Sequence, residues 1–404
     1  MVLIKPFAAL RPGPALAPQV CELPYDVMST AEARQIAAAN PLSFLHVSKP
    51  EIDLPVDTDP YAPAVYEKGR ENFARLIADG VLRPDPAPAF YLYRQVMGTH
   101  AQLGLVAAAS CEAYLRGDIR KHELTRPEKE DDRVRHIEAL NAQTGPAFLV
   151  YRARPALDVF LATLATAAPD MDFTAADGVR HTAWAVREAE AIQRIEAEFA
   201  AITRLYIADG HHRSAAAARV FQTRRGAGGT PGFLAVIFPH NQMQILPYHR
   251  VLKDLNGRTQ AQLLDRLEQV FTTEPTVAPA PARKGELGLY LAGGWRRLTF
   301  RPEALARATG VEALDVALLQ RLVLEPVFGL ANPRTDKRID FVGGIRGPSE
   351  LERLVNSGAA ACAFALFPTR IEDLLEIADR GGIMPPKSTW FEPKLRDAMF
   401  SHLL

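Results

Sequence analysis

Apolar residues recur along this chain at two spacings, and each spacing predicts a different element. Ser29 precedes an alanine-rich, helix-periodic stretch and predicts a capped helix over 30–39, stopping at Asn40-Pro41. Tyr61 to Asp79 keeps the helical period and ends at Gly80. Ala89 to Val96 and Gln102 to Ala109 read as paired strands around a turn at Gly98. Thr125 and Glu128 match a capping box, with Pro127 in the first turn, so a helix is expected to about Ala142. Phe148 to Tyr151 reads as a strand, Glu188 to Phe199 as a helix, and Arg204 to Ala208 as a buried strand. Asp209-Gly210 then makes a turn into an alanine-rich helix from Ser214 to Gln222. Strands are expected over Phe233 to Phe238 and Met243 to Leu252, around the turn Pro239-His240-Asn241.

The remainder alternates strands (Leu287 to Leu291, Ala363 to Phe367) with helices (Val316 to Leu324, Ile371 to Arg380). This succession predicts a mixed α/β (α+β) fold without internal repeats. Two parts are expected: an N-terminal part, 1–252, holding the chemistry-bearing motifs, and a smaller C-terminal α/β part, 253–404. The Pro- and Ala-rich segment 272–286 reads as a linker-like insert or a long hairpin connection. The glycine-rich segment 226–232 fits neither a dinucleotide-binding nor a Walker-type loop and reads as a plain loop.

Composition narrows the function classes. The 404 residues carry 47 Lys and Arg against 47 Asp and Glu, a balance with no electrostatic footprint for nucleic acid or an anionic membrane. Cys21, Cys111 and Cys362 stand far apart, without a CxxC pair, so neither a zinc ribbon nor a disulfide framework is expected. The longest apolar run, Ala359 to Phe367, is half the roughly 18 residues of a membrane span. The proline-broken N-terminus does not read as a signal peptide. A cytoplasmic location is expected, with neither nucleic acid nor membrane as a partner and with a homo-oligomer admitted.

Candidate chemistry concentrates at Asp209-Gly210-His211-His212-Arg213, between a strand and a helix. A helix start offers backbone N–H groups and the positive end of the dipole to an anion. Gly210 permits close approach, and Arg213 adds a planar fork for phosphate. His211 and His212 can donate to phosphate oxygens, and Asp209 can take a proton or hold a metal. Asp209 alone would read as an ordinary N-cap. Two histidines and an arginine beside it do little for folding and point to a site.

A second cluster runs from His122 to Arg133. Asp131 and Arg135 have stabilising spacing, but Glu128 with Asp132, and Lys129 with Arg133, are like-charged pairs. Lys129, Arg133 and Arg126 are candidate phosphate ligands. His122 and Glu123 are candidate proton carriers, and Glu130 and Asp131, with Asp209, candidate Mg²⁺ ligands. Looser candidates for substrate contact are Asp26, Asn40, Ser43, His46 and Thr125, and the C-terminal loop Lys387-Ser388-Thr389. Turn chemistry by itself accounts for Asp26 and Asn40.

The Asp209–Arg213 turn resembles the phosphate-binding turn of the ParB/sulfiredoxin superfamily. The chain as a whole resembles a prokaryotic family of unknown-function proteins related to free-serine kinases. The motifs that carry this run nearly end to end. They are Ile4-Lys5-Pro6-Phe7, Leu10-Arg11-Pro12, Pro24-Tyr25-Asp26-Val27, Asn40-Pro41 through His46, and His122-Glu123 to Arg133. The Asp209 turn follows, then Ile245-Leu246-Pro247-Tyr248 and Pro386-Lys387-Ser388-Thr389.

The resemblance implies a ParB/sulfiredoxin-like core. It also implies phosphorylation of free L-serine to O-phosphoserine with ATP, ADP or pyrophosphate as donor and Mg²⁺ as cofactor. The Asp209–Arg213 turn would hold the donor phosphates, and Glu123 or Asp209 would deprotonate the hydroxyl. Sulfiredoxin chemistry is not implied, because the turn has no cysteine. The alternatives are a nucleotide-binding regulator of ParB type and, third, a metal-dependent hydrolase. Adjacent histidines in a turn do not readily face one metal.

Overall fold

The computed structural model describes residues 2–224, 231–306 and 308–404. Residues 226–230 of the glycine-rich segment lie outside the described residues. The fold is mixed α/β, built on several sheets. Its contacts divide the chain into two units, Met1–Met243 with Pro393–Leu404, and Gln244–Glu392.

The first unit is organised on a nine-stranded sheet. The order along it is Ile119–Arg120, Leu205–Asp209, Ala147–Tyr151, Gly232–Pro239, His100–Ser110, Phe90–Met97, Arg180–Val186 and Met171–Thr174, with Ile4–Lys5 paired to the end of His100–Ser110. Gly232–Pro239 is buried at every position, as its unbroken apolar run requires of a central strand. It runs parallel to Ala147–Tyr151 and antiparallel to His100–Ser110. One face of the sheet is covered by helices Pro155–Leu164, Ala189–Ala200 and His211–Thr223. Leu157, Leu161, Ile195 and Phe199 pack there with Leu92, Leu105, Leu149 and Ile207. Ala215 to Ala218 let the helix of the candidate motif lie close to the same core.

Helix ends show where local signals were overruled. Ser29 caps helix Thr30–Ala37, and Glu32 returns the bond to complete a capping box. The expected Thr125–Glu128 box does not form. Helix Pro127–Leu140 starts after Arg126, without a side-chain cap, and the Thr125 hydroxyl donates to Glu130 at 2.9 Å instead. The helix ends at Asn141, whose φ of 50° is left-handed. Asp131 pairs with Arg219 at 2.7 Å rather than with Arg135.

The second unit holds a six-stranded sheet in the order Phe271–Thr276, Gly294–Phe300, Glu286–Leu291, Cys362–Leu366, Tyr248–Leu252, Ile339–Gly343. The expected strand over 243–252 is two strands, Gln244–Leu246 and Tyr248–Leu252, in different sheets. Pro247 separates them, as a residue with no N–H to give a ladder must. Tyr248–Leu252 thereby joins the second unit, and the division falls at 243 rather than 252. The 272–286 segment is neither a linker between units nor a hairpin. Both strands it joins pair with Gly294–Phe300, so it crosses over that strand.

Candidate functional site

Strand Leu205–Asp209 pairs with Ala147–Tyr151, and its register slips between Ile207 and Asp209. Such a bulge bends the strand and re-aims the side chain that follows. Gly210 then takes φ 89°, in the left-handed region. A Cβ there would lie 3.2 Å from Ala147 Cα and from Arg213 Nε, so the turn requires glycine for both conformation and space. Helix His211–Thr223 begins at once. Its first bond runs from the Ser214 N–H to the Gly210 carbonyl at 3.0 Å. The N–H groups of His211, His212 and Arg213 therefore occupy the unpaired first turn of the helix. The motif histidines and arginine lie within the helix, three residues ahead of its expected start.

Asp209 sits among cations. Its Oδ2 accepts from Lys394 Nζ at 2.9 Å and its Oδ1 from the Gly210 N–H at 2.7 Å, with Arg213 at 3.8 Å. Burial pushes this carboxyl up, but Lys394 and Arg213 overcome it and hold the group well below the usual carboxylate range. Asp209 is thus ionised, while 32% of its side chain remains exposed. Arg213 donates to the Pro146 carbonyl and lies 3.9 Å from Asp26, itself 42% exposed. Arg213 Nε is buried without a partner.

His211 and His212 face the loop before helix Pro127–Leu140. His211 Nε2 accepts the His122 N–H at 3.4 Å, and His212 Nε2 accepts the Arg126 N–H at 3.0 Å. An imidazole that accepts through one nitrogen is neutral, and burial lowers the proton affinity of both rings. The His122 ring meets His211 edge-on at 4.5 Å, and burial takes it down to about 4. The two histidines thus fasten the His122–Arg126 loop to the helix start, through the same atoms that were expected to contact phosphate.

The other residues of that segment divide. Lys129 reaches the Tyr61 hydroxyl, and Arg126 lies 3.7 Å from exposed Glu128. Arg133 forms a buried pair with Asp132 at 2.8 Å and stacks its guanidinium 3.9 Å from the Tyr25 ring, next to Asp26. Glu123 is half-buried in the loop. Glu130 and Asp131 both bind Arg219, at 3.0 and 2.7 Å.

Near the N-terminus, Ser43 donates to Glu22 at 2.6 Å. Asn40 closes a turn with the Leu42 N–H and holds the Gln19 carbonyl. His46 spans Asp53 at 2.8 Å and the Asn40 carbonyl at 3.2 Å. Asn40 and His46 thus brace the segment that carries Glu22 and Asp26. Lys387, Ser388 and Thr389 belong to the second unit and are taken up below.

The last residues of the chain supply what sequence reasoning missed. Glu22 and Asp397 face each other across an antiparallel bridge, which brings Lys394, Arg396 and Asp397 beside the Tyr25-Asp26 segment. Asp397 is 2% exposed, and its Oδ1 has no partner. Burial pushes its carboxyl up to about 7. Arg213 and Arg133 oppose that shift, and Asp26 and Glu22 reinforce it. Asp397, Arg213, Arg133, Ser48, Gln143 and Thr144 line a cavity of about 30 Å³, the room a water or two needs. Arg396 is tied to Asp177 and, at 3.2 Å, to His181. Lys394-Leu395-Arg396-Asp397, charges set in an apolar C-terminal stretch, was the available signal.

The carboxylates expected to hold Mg²⁺ do not form a cation site. Asp209 is matched to Lys394, and Glu130 and Asp131 to Arg219. Among the described residues no three His, Cys, Asp or Glu are grouped to hold a metal ion. Among them, too, no helix is long and apolar enough to cross a membrane.

The family model described as protein of unknown function (DUF1015) matches residues 4–317. The chain belongs to that family. Membership agrees with the ordered motifs from Ile4 to Tyr248, which lie within the matched residues, whereas Pro386 to Thr389 lies beyond them. No curated protein matches the sequence. Among solved structures, a conserved hypothetical protein from Pyrococcus furiosus is similar at 14% identity and TM-score 0.36, over 73% of this chain and 93% of that one. A free serine kinase in complex with AMP is similar at 13% identity and TM-score 0.35, over 71% and 86%. SbnI from Staphylococcus aureus, truncated at its C-terminus, is similar at 11% and 0.36, over 72% and 85%. These likenesses are loose, and what the site can do rests on its own geometry.

Proposed function

We propose that this protein is a small-molecule kinase that transfers a phosphoryl group from a nucleotide or pyrophosphate to the hydroxyl of free L-serine. The observation that carries the reading is the placement of Arg213 and Lys394 around an ionised Asp209 at the start of a 13-residue helix. The choice of serine rests on the motif resemblance.

Phosphoryl transfer asks a protein mainly for positioning and for neutralisation of charge on phosphate oxygens. The first-turn N–H groups and the guanidinium of Arg213 meet the donor phosphates, and Lys394 adds a point charge. Asp209, ionised at every ordinary pH, accepts a hydrogen bond from the acceptor hydroxyl and aligns it. As the O–P bond forms, the hydroxyl proton leaves to a carboxylate and the donor's bridging oxygen keeps its bonding electrons. Glu123 and Asp209 are the candidates for that proton. His122, His211 and His212 are positioning residues in this scheme, since they fix the loop that carries Glu123. A divalent cation such as Mg²⁺ would arrive with the donor's phosphates, because Asp209, Glu130 and Asp131 are already matched to cations.

The test is incubation of the full chain with L-serine and Mg²⁺ and, separately, ATP, ADP or pyrophosphate, with phosphoserine read by mass spectrometry. Phosphoserine from one donor is the expected result. No product from any donor, with protein shown to be folded, overturns the kinase reading and leaves nucleotide binding without transfer as the function to test.

A further inference from the structure

The second unit joins two motifs that the reading above leaves without a role. Ile245-Leu246-Pro247-Tyr248 leads into strand Tyr248–Leu252, which carries Arg250, and Pro386 to Thr389 forms the loop before strand Trp390–Glu392. Arg250 and Pro386 are 136 residues apart in sequence, and the guanidinium lies 3.5 Å from the Pro386 carbonyl. It also donates to the Tyr248 carbonyl at 2.7 Å and stacks 4.7 Å from the Phe341 ring.

Arg250 is only 4% exposed, and among the described residues no carboxylate pairs with it. Burial draws its proton affinity down to about 10, with only Tyr248 acting the other way. A guanidinium stays charged in a protein, and an unmatched buried charge is strongly unfavourable. Carbonyl oxygens and an aromatic face offset part of that cost. No described carboxylate supplies the remainder.

Lys387 repeats the pattern at the exposed side of the loop. Its ammonium lies 5.2 Å from the Tyr248 ring, again with no carboxylate partner among the described residues. Its φ of 56° is left-handed, a conformation that a lysine keeps only where its surroundings enforce it. The surroundings do so. Ser388 donates to the Pro385 carbonyl at 2.6 Å, and Thr369 to the Ser388 carbonyl at 2.9 Å. Trp390 lies flat on Gly343, where a Cβ would come within 2.7 Å of the indole, and meets Tyr248 at 5.1 Å. Glu392, the acid at the end of this strand, accepts from the Trp390 indole N–H at 2.7 Å.

We propose that Arg250 and Lys387 form an anion subsite on the 386–389 loop, which takes an oxyanion, phosphate or carboxylate, as the counter-charge that none of the described carboxylates supplies. The subsite stands on the geometry of the second unit and not on the phosphotransfer reading.

The test is calorimetric titration of the full chain with pyrophosphate and, separately, with L-serine. Arg250→Gln and Lys387→Gln are each expected to weaken one of the two at least tenfold, and the one weakened identifies the anion as phosphate or carboxylate. Lys387→Gln changes an exposed side chain, so it decides the matter if Arg250→Gln fails to fold. Wild-type protein that binds neither probe, or variants that bind both within twofold of wild type, overturn the subsite. The readout is binding without turnover, so an absence of phosphoserine leaves this test standing.

Discussion

Two carboxyls flank Arg213 and are driven in opposite directions. Asp209 has Lys394 at 2.9 Å and stays ionised, whereas Asp397 has no ion pair of its own among the described residues and is pushed up to about 7 by burial. Because the folded value lies above the unfolded one, Asp397 favours folding at low pH. That contribution is lost as pH rises from about 4 through 7. Asp397→Asn removes the titration. Its stability relative to wild type is therefore expected to rise between pH 5 and pH 8, by on the order of a few kcal/mol at most, and its melting temperature to rise with it. A difference that stays flat across that range, in scanning fluorimetry at both pH values, contradicts the assignment. Arg213→Ala removes the guanidinium that the proposed site would offer to the donor. A loss of roughly ten- to a hundredfold in pyrophosphate affinity is expected, the worth of one charge-assisted bond. Unchanged affinity or full turnover in that variant removes the phosphate site from this turn.

At the scale of elements, the site is made by a bulge, a left-handed glycine and a helix start in immediate succession. Gly210→Ala would force a Cβ to 3.2 Å from Ala147 Cα at φ 89°. It is expected to cost about 1–2 kcal/mol or more and to weaken pyrophosphate binding as well. Ser29→Ala is the contrast. It removes the box at helix Thr30–Ala37, where Ser29 bonds Glu32 and not a residue of the turn, and should cost about 1 kcal/mol with binding unchanged. Thermal denaturation with titration on both variants separates the two effects. Element type was legible wherever the periodicity was strong, as in the hairpin around Gly98 or helix Pro63–Ala78. Cap geometry was not legible where a side chain had two possible partners. Thr125 matched the spacing of a box with Glu128, but in three dimensions Glu130 takes its hydroxyl.

On the scale of the molecule, the decisive feature is the return of Pro393–Leu404 to the first unit. Strand Ser401–Leu403 lies between Ala9–Pro12 and Ala142–Gln143, and Met399 and Phe400 are wholly buried. A chain ending at Glu392 would lose that strand, several kcal/mol of apolar burial, and Lys394, Arg396 and Asp397 together. Its first unit is expected to melt at markedly lower temperature and to lose pyrophosphate binding, by scanning fluorimetry and calorimetry. Retained affinity would show that Lys394 and Asp397 do not belong to the site.

Local sequence is enough for the mixed α/β class, most strands and helices, and the Asp209–Arg213 turn. These follow from periodicity and from glycine and proline punctuation, which act within a few neighbours along the chain. Only the tertiary structure decided which groups surround that turn. Lys394 reaches Asp209 across 185 residues, Asp397 meets Glu22 at the opposite end of the chain, and Arg250 meets the 386–389 loop. No local pattern encodes such pairs, because their proximity is set by sheet order and by the burial of the segments that carry them. The charge state of each group depends in turn on that burial and on those partners.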